Sequence, residues 1–400
     1  MEKKLNPIVS LSATILLLTL IFSGCEYDTP SEIYPIKGAP DPVITKVEPD
    51  SAVGGVLELK ILGNNFAEHA DQNIVYFGTN EAMVKHASAT ELKIMRPLKM
   101  SGTTMIKIAV RDAFVIAEYG PYKLEQGIVQ LPAIGQVNTI TIDKEENLYV
   151  DGDETIYRIT PDGELIEYGK IDFISSAMRM GSGGYLYIQR KDNRDFYRIA
   201  PGGGSPERFT RIRKRANYFD FDQNGYIYSG STQYGVCVTS PDGATSTELP
   251  GYTDTFQINA VRVYNGFVYI AADTITDDPA SSFSGIWKLE IKGNGELGER
   301  ILVYDWANAG DFSKSLISDI TFSEDADLYV ATDNLNPILI IHADGTAETL
   351  YAGTLETPAT QICWGNGKYL YMNKLGREDK DSGISRIVMG KKGAPYYGRP

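Results

Sequence analysis

One short pattern recurs six times between residues 137 and 375: an apolar strand, a turn, and an aliphatic residue followed by tyrosine. The six pairs are Leu148-Tyr149, Leu186-Tyr187, Ile227-Tyr228, Val268-Tyr269, Leu328-Tyr329 and Leu370-Tyr371. Their tyrosines are 38, 41, 41, 60 and 42 residues apart. Repeats of about 40 residues built only from strands are typical of propeller blades, whereas helical repeats show a period of about 3.6 residues. The pattern therefore predicts an all-β chain whose residues 125–400 form a six-bladed β-propeller.

Residues 1–24 have the features of a secretory signal peptide. Two lysines precede an apolar run at residues 11–22, which is too short to span a membrane comfortably. The run leads into Ile-Phe-Ser-Gly-Cys at residues 21–25, which resembles a bacterial lipobox and implies that Cys25 carries lipid. The alternative is a signal peptide in which the cysteine is incidental. Residues 25–42 contain four prolines among polar residues, which predicts an extended tether.

Two acidic residues, Glu26 and Asp28, lie directly after the cysteine. This arrangement resembles the export signal of lipoproteins that Bacteroidetes place on the outside of the outer membrane. The resemblance implies a protein that contacts the outer membrane through its lipid anchor only and faces the exterior.

The charge of the chain disfavours nucleic acid as a partner. The formal net charge is −14, and residues 211–215 are the one strongly basic stretch. Phosphate binding requires a concentrated cationic surface. We interpret the basic stretch as a solvated loop between the second and third blades.

Residues 43–124 alternate polar and apolar side chains between Gly/Asn-rich turns, which predicts strands. Within them, Gly63-Asn64-Asn65-Phe66 and Phe77-Gly78 resemble elements of the IPT/TIG domain, an immunoglobulin-like β-sandwich. The resemblance covers about 80 residues. It implies a spacer or an interaction module ahead of the propeller.

The repeats resemble NHL-type blades in two elements, Asp/Glu-x-x-Gly/Asn-x-Leu-Tyr in mid-blade and Ile-x-Pro-Asp-Gly after the third strand. The resemblance implies a fold and says little about function. We interpret the Asp-Gly and Asn-Gly pairs as hairpin turns rather than calcium loops, because tight hairpins need a positive φ. The C-terminal tail has little strand character, so we expect residues 127–131 to complete blade 6 as its outer strand.

A ring of small polar residues is predicted at one mouth of the central channel, where the inner strands begin. Each lies eleven residues before a repeat tyrosine (ten in blade 4): Asn138, Ser176, Asn217, Asn259, Ser318 and Thr360. They are candidate ligand-binding residues. A compatible alternative is that they cap strand ends by bonding backbone groups.

The long interval between the fourth and fifth tyrosines places two insertions on that same face, at residues 272–284 and 306–316. They carry Phe283, Trp306 and Phe312 beside the acceptors Asp273, Asp277, Asp278, Asn308 and Asp311. Aromatic faces stack on the C–H faces of a sugar, and planar side chains bond its hydroxyls. The pattern predicts a sugar-binding site near blades 4 and 5. The alternative is that the aromatic side chains anchor long loops against the blades.

The sequence offers no metal or catalytic constellation at the predicted mouth. None of the three histidines (His69, His86 and His342) falls there, which disfavours a zinc site and a Ser-His-Asp triad. Lactonase-like six-bladed enzymes hold calcium in the channel, but the polar ring lacks the carboxylates this needs. We expect no metal and no cofactor. Cys237 and Cys363 fall in different blades, which favours free buried thiols over a disulfide.

A lipid-anchored, Pro-tethered β-sandwich and propeller resemble accessory surface proteins of Bacteroidetes polysaccharide-utilisation systems. The resemblance implies capture of a polysaccharide or oligosaccharide without catalysis, beside an outer-membrane transporter or other glycan-utilisation proteins. One alternative is a propeller-type lyase or hydrolase. The other is a protein-interaction scaffold in an outer-membrane complex.

Overall fold

A computed structural model shows two all-β units in sequence. It describes residues 38–52, 58–132, 134–231, 235–249, 256–274, 283–374 and 382–399. Cys25, Asp277 and Asp278 lie outside the described residues. Within the described ranges, no helix is long and apolar enough to cross a membrane. The architecture confirms the predicted fold class.

The first unit is an immunoglobulin-like arrangement of eight strands. They are β1 (Val43–Glu48), β2 (Ser51–Ala52), β3 (Glu58–Asn64), β4 (Asn73–Phe77), β5 (Asn80–Ala87), β6 (Glu91–Met95), β7 (Gly102–Val110) and β8 (Ala117–Leu124). Their spatial order is β1-β3-β6-β5-β4-β7-β8-β2. Alternating side chains of each strand point inward, so Leu59 and Ile61 of β3 are buried. They share one apolar core with Val75, Phe77 and Ile106.

The second unit is a ring of six four-stranded antiparallel sheets, the predicted blades. Blade 1 is β10–β13 (Val137–Ile142, Leu148–Gly152, Thr155–Ile159, Leu165–Lys170), blade 2 is β14–β17 (Ser175–Met180, Leu186–Arg190, Asn193–Ile199, Glu207–Ala216) and blade 3 is β18–β21 (Tyr218–Phe221, Ile227–Ser231, Gly235–Thr239, Ser246–Glu248). Blade 4 is β22–β25 (Phe256–Tyr264, Phe267–Thr274, Ser284–Gly293, Glu296–Asp305) and blade 5 is β26–β29 (Ile317–Phe322, Leu328–Thr332, Ile338–Ile341, Ala347–Thr349). Blade 6 is β30–β32 (Gln361–Trp364, Tyr369–Lys374, Gly383–Val388) with β9 (Ile128–Gln130) as its outer strand.

The ring closes as predicted, because a strand from before blade 1 completes blade 6. Ile128 pairs with Ile387, and Gln130 pairs with Ser385. The Gln130 side-chain amide also donates to the Ser385 hydroxyl at 2.8 Å. The pairing covers an edge that would otherwise be open and pins both ends of the ring to each other.

The repeat tyrosines stabilise the blades. All six are buried, and several contact the inner strand of the next blade. Ring centroids lie 5.0 Å apart for Tyr187 and Phe221, and 4.9 Å apart for Tyr329 and Trp364. In blade 1, the Tyr149 hydroxyl donates at 3.1 Å to the aspartate that opens the first turn. The repeated tyrosines that identify the fold therefore also pack neighbouring blades against each other.

The basic stretch at residues 211–215 lies in β17, the outer strand of blade 2, and not in a loop as expected. Arg211 donates to both carboxylate oxygens of Asp195 at 2.8 and 2.9 Å. Lys214 pairs with Glu248 of blade 3 at 3.3 Å. Arg211, Arg213 and Arg215 are exposed, and acidic neighbours pair with Arg211 and Lys214.

The first domain joins the ring through blades 5 and 6. Leu98 is buried in the same apolar cluster as Ile128 and Trp364. The Gly127 N–H donates to the Leu98 carbonyl at 2.8 Å. Arg96, which is almost fully buried, donates to the Ala52 carbonyl at 2.7 Å and to the Glu125 carbonyl. These contacts hold the end of the first domain against the strand that closes the propeller.

Candidate functional site

The propeller has two faces, and the predicted polar ring lies on the one where the inner strands begin, here called the mouth face. Four of the six ring residues, Asn138, Ser176, Asn259 and Ser318, occupy β-bulges, where the register between the inner and second strands shifts. A bulge leaves one residue unpaired and redirects its side chain. A small polar residue fits this place because its side chain can bond nearby backbone or neighbouring groups.

Most of the ring side chains are engaged within the blades. Asn138 donates to Asp151 at 3.3 Å, and Asn259 donates to Asp273 at 2.8 Å. The remaining bonds join Asn217 to Asp192, Ser176 to the Gln189 carbonyl and Thr360 to the Asn373 carbonyl. The capping alternative fits Ser176, Thr360 and Asn217, which bond backbone groups, whereas the two other asparagines bond carboxylates. Ligand binding by the ring stays a prediction.

The aromatic side chains of the second insertion are not open to a ligand, which corrects our expectation for Trp306 and Phe312. Trp306 is 1% exposed and Phe312 is 4% exposed. The Trp306 indole N–H donates to the Ser315 carbonyl at 2.9 Å, and both rings join the apolar core between blades 4 and 5. Short 3₁₀ turns fold the insertion back on itself and bury the rings. The anchoring alternative fits these two residues.

The other predicted members of that site are not gathered at the channel mouth. Phe283 is half-buried, with its ring 5.6 Å from the Trp287 ring, and Asp273 is bonded to Asn259. Asn308 and Asp311 are exposed and line a groove of about 690 Å³ between the outer parts of blades 4 and 5.

The central channel is closed by the inner strands. Buried charged groups from blades 2 to 5, here called the channel cluster, fill it: Arg179, Asp220, Arg262 and Asp319. A void of only about 20 Å³ is left beside them. Cys363 also faces the channel, and Cys237 is buried in blade 3; both are free thiols, as predicted. Burial raises the pKa of Cys237 to about 11 and that of Cys363 to about 12, so neither is a thiolate nucleophile near neutral pH.

The C-terminal tail (residues 389–399) closes the channel on the opposite face. Its Ala394 N–H donates to the Phe322 carbonyl at 3.0 Å, and the Tyr396 hydroxyl accepts the Phe322 N–H at 2.9 Å. Arg399 donates to the Trp364 carbonyl. The tail therefore crosses the inner strands of blades 5 and 6 and inserts Tyr396 and Arg399 into the end of the channel.

A large cavity, here called the basin, lies on this second face and measures about 1100 Å³. This turn face carries the turns that follow the inner strands, and the basin is bounded by those of blades 1 to 4 and by the tail. Two half-buried rings form walls: Tyr264 stacks on Phe322 at 4.3 Å, and Tyr397 lies 5.0 Å from Phe221. Polar side chains around them include Lys144, Glu145, Asn147, Gln223, Asn224, Asn265 and Lys292.

The basin can hold a ligand that is both polar and flat-faced. The aromatic walls offer π-faces, and the turn side chains offer amide and charged groups. Two turn aspartates, Asp143 and Asp222, accept bonds from their own turns and from Tyr149 and Tyr228. Among the described residues, no group of three His, Cys, Asp or Glu is arranged to hold a metal ion.

Sequence reasoning missed the basin because it depends on the tail. The only signal was the pair Tyr396-Tyr397 between Pro395 and Gly398, near the end of the chain. Nothing local indicates that one of these rings enters a channel and that the other forms a wall.

Comparison with known proteins supports the two-domain architecture. Residues 42–124 match the IPT/TIG domain. No curated protein matches the chain. A Bacteroides thetaiotaomicron protein of unknown function is 12% identical, with a TM-score of 0.51, and covers 87% of this chain and 98% of its own. An auxiliary nutrient binding protein from the same organism is 14% identical, with a TM-score of 0.51, and covers 87% of this chain and 97% of its own.

A luciferin-regenerating enzyme also has a similar fold, at 14% identity and a TM-score of 0.52, over 68% of this chain and 98% of its own. Identities this low show likeness of fold alone. The chain consists of an IPT/TIG domain followed by a six-bladed propeller, as predicted, and solved Bacteroides structures have a similar fold over most of their length.

Proposed function

We propose that this protein is a nutrient-binding accessory of the cell surface that captures a carbohydrate in the basin of the turn face. The observation that carries the proposal is the basin itself, about 1100 Å³ with half-buried tyrosines among amide and charged side chains. A solved structure of similar fold over most of both chains is named an auxiliary nutrient binding protein. That name supports the class of function, and the chemistry of the basin supports a sugar.

The aromatic walls favour carbohydrate over other polar nutrients. A sugar ring presents apolar C–H groups on its faces and hydroxyls around its edge. Tyr264 stacks on the buried Phe322, and Tyr397 packs at a tilt against the buried Phe221, so their positions are fixed before a ligand arrives. The polar turn side chains surround them at the edge, where sugar hydroxyls would lie.

Removing one aromatic wall tests the assignment. Tyr397→Ala should weaken binding of a polysaccharide found by screening residues 26–400 by about 1–3 kcal/mol, the scale for one central aromatic contact. Tyr157→Ala is the matched control, since Tyr157 is a half-buried tyrosine on the third strand of blade 1 and outside the basin lining. Equal affinity of both variants, measured by calorimetry at equal folded fraction, would contradict the basin as the site.

The same preparations decide between capture and catalysis. Capture predicts an unchanged polysaccharide after long incubation. A new reducing end or an unsaturated product would instead support the lyase or hydrolase alternative.

The localisation belongs to the same proposal. We infer that Cys25 carries lipid and that the proline-containing tether holds the two domains outside the outer membrane. Cys25→Ser should release the protein from membranes and leave its melting temperature unchanged. Retention of the variant after a high-salt wash would contradict the anchor.

A second candidate function, docking to a partner protein, is favoured by the outer strand of blade 4. Strand β25 has ten residues, and its Ile301, Leu302 and Val303 are 50%, 48% and 37% exposed. An open apolar edge is a template for strand pairing. The adjoining groove is lined by Asp305, Asp311 and Glu348 and by no described lysine or arginine.

The partner that fits this edge is an extended segment with alternating apolar and basic residues, such as one on an outer-membrane transporter. Leu302→Asp should abolish co-purification with the transporter and leave carbohydrate affinity unchanged. Thr349→Asp, on the outer strand of blade 5, is the control for added charge near the groove. Co-purification that survives Leu302→Asp would contradict docking at this strand.

A further inference from the structure

The end of the propeller channel near the tail holds more buried positive than negative charge. The guanidinium groups come from Arg179, Arg262 and Arg399, which are 8%, 4% and 7% exposed. The buried carboxylates beside them are Asp220 and Asp319, each 3% exposed. Three cations against two anions leave one positive charge in excess.

At the void itself, Asp220 is the one carboxylate among the described lining residues, against three arginines. Burial keeps the Cys363 thiol and the Tyr396 phenol neutral by raising the pKa of each. Glu146 interacts electrostatically with Arg399 and its Oε1 accepts the Gly367 N–H at 2.8 Å, but this carboxylate does not line the void. Among the described residues, no carboxylate oxygen is within 4.0 Å of an Arg399 nitrogen.

The two aspartates bond mainly to the backbone. Asp220 accepts the Phe221 and Val263 N–H groups at 3.0 and 2.9 Å. Asp319 likewise accepts two backbone N–H groups, at 2.9 and 3.1 Å. Their oxygens are 3.6–4.0 Å from the nearest arginine nitrogens, beyond ordinary hydrogen-bond length.

Arg179 consequently keeps a buried donor that no described protein acceptor satisfies. Arg179 donates from Nη1 to its neighbour's carbonyl, whereas its buried Nε has no hydrogen-bond partner among the described residues. Arg262 donates to the Ile320 and Ile362 carbonyls and has further N–H groups. A buried charged donor without a partner is strongly unfavourable.

The void of about 20 Å³ lies among these donors. Its lining includes all three arginines together with Asp220, Thr141, Thr321 and Cys363. A void of about 10–15 Å³ suffices for one water-sized species. The space is therefore enough for a single water molecule or a single monatomic ion.

We propose that this void binds one monovalent halide-sized anion, held by the guanidinium groups of Arg179, Arg262 and Arg399. The anion places a negative charge among the three guanidinium groups and accepts N–H donors that the aspartates do not reach. Arg179 belongs to blade 2, Arg262 to blade 4 and Arg399 to the tail, so one ion connects three parts of the ring. The site does not depend on the carbohydrate proposal, although the tail that it holds also forms a wall of the basin.

Bromide is the probe, because its anomalous scattering identifies it in a crystal. Crystals of the wild-type protein grown in sodium bromide should show an anomalous peak in the void, within contact distance of the three guanidinium groups. A water molecule gives density without an anomalous peak. Absence of the peak at this place overturns the proposal, and means that the charge is balanced within the chain.

Melting in solution provides a second readout at constant ionic strength. Replacing gluconate, which is too large for the void, by bromide from 1 to 100 mM should raise the melting temperature by about 3–5 °C if the dissociation constant is near 1 mM. Arg179→Met removes the excess charge at similar volume and should abolish the difference. Arg198→Met, which breaks an ion pair with Glu207 on the surface of blade 2, should keep it. Equal melting of the wild-type protein in both salts also overturns the proposal.

Discussion

The two faces of the propeller use their polar and aromatic side chains differently. On the mouth face, the small polar residues bond within the blades, and the insertion after blade 4 buries Trp306 and Phe312. On the turn face, short turns and the tail leave Tyr264 and Tyr397 half-open around a basin of about 1100 Å³. The face with the longer loops therefore has fewer polar and aromatic side chains that a ligand could contact.

The difference shows what loop length means in a ring of blades. A long connection can fold back and bury its own aromatic residues, which stabilises the loop and removes them from solvent. Short turns cannot cover the inner strands, so space is left above the channel. A segment from outside the repeats, here the C-terminal tail, then determines the shape of that space.

The largest effect on stability is expected from removing the tail. Ending the chain after Gly390 should lower the free energy of unfolding of the propeller by at least about 5 kcal/mol. Loss of a buried aromatic residue such as Tyr396 costs about 3–5 kcal/mol, and loss of the tail's other buried contacts, through Ala394 and Arg399, adds to it. Urea unfolding followed by tryptophan fluorescence measures this, because all three tryptophans lie in the propeller.

Tyr397→Ala is the control for the truncation, since it alters the tail only at a half-buried wall of the basin. It should cost much less stability than the truncation. A truncated protein as stable as the wild type would show that the tail is not part of the ring's core. It would contradict the view that the tail shapes the turn face.

A second test concerns the buried aromatic residues of the mouth face. Trp306→Ala should lower the free energy of unfolding by about 3–5 kcal/mol, as for other buried aromatic residues, and leave carbohydrate affinity per folded molecule unchanged. Affinity and melting measured on one preparation separate the two effects. Weaker binding with unchanged stability would restore the mouth face as the binding site.

A third test concerns the polar ring. Asn259→Ala removes a buried donor to Asp273 at 2.8 Å and should cost about 1–3 kcal/mol, the scale of a hydrogen bond to a charged group. Ser318→Ala is the matched control, because Ser318 occupies the same bulge position and its hydroxyl has no hydrogen bond among the described residues. That change should stay within about 0.5 kcal/mol. If both variants bind carbohydrate more weakly at full stability, the ring is a ligand site after all.

Much of the fold could be predicted from the sequence because its signals are local. Each repeat tyrosine lies at the start of a second strand and packs between blades. One such tyrosine occurs in each blade, so the number of tyrosines gives the number of blades. The strand at residues 128–130 was predictable because the tail left blade 6 without an outer strand. The Gly and Phe elements of the first domain likewise mark turns and core positions.

The site was less predictable because burial depends on tertiary contacts. An aromatic residue in an insertion can stack on a ligand or fill a core, and nothing next to Trp306 in the sequence distinguishes these outcomes. The channel cluster was hidden for a similar reason: its arginines and aspartates are far apart in sequence and alternate with apolar residues, as solvated strand residues do. Only closure of the ring brings them together.

The smallest expected effect is a pH dependence on the turn face, near the base of the tail. His342 Nδ1 lies 2.9 Å from Asp327 Oδ1, and Nε2 lies 3.5 Å from Glu348 Oε1. The hydrogen bond to Asp327 raises the pKa of His342 above its usual value, helped by the charges of Glu348 and Asp344. Lys391 of the tail binds the other oxygen of Asp327 at 2.7 Å and opposes this effect.

Because the pKa of His342 is higher in the folded protein than in the unfolded chain, the protonated ring stabilises the fold. That stability is present in full below pH of about 6.5 and is lost as the pH rises through the folded-state pKa. His342→Gln should therefore lower the melting temperature more at pH 5.5 than at pH 8.5, by an amount that corresponds to less than about 1 kcal/mol for a partly exposed pair. Glu348→Gln should keep most of the difference, since the bond to Asp327 is its main cause. If His342→Gln lowers the melting temperature equally at both pH values, the histidine contributes only packing. Its protonation then has no effect on the stability of the turn face.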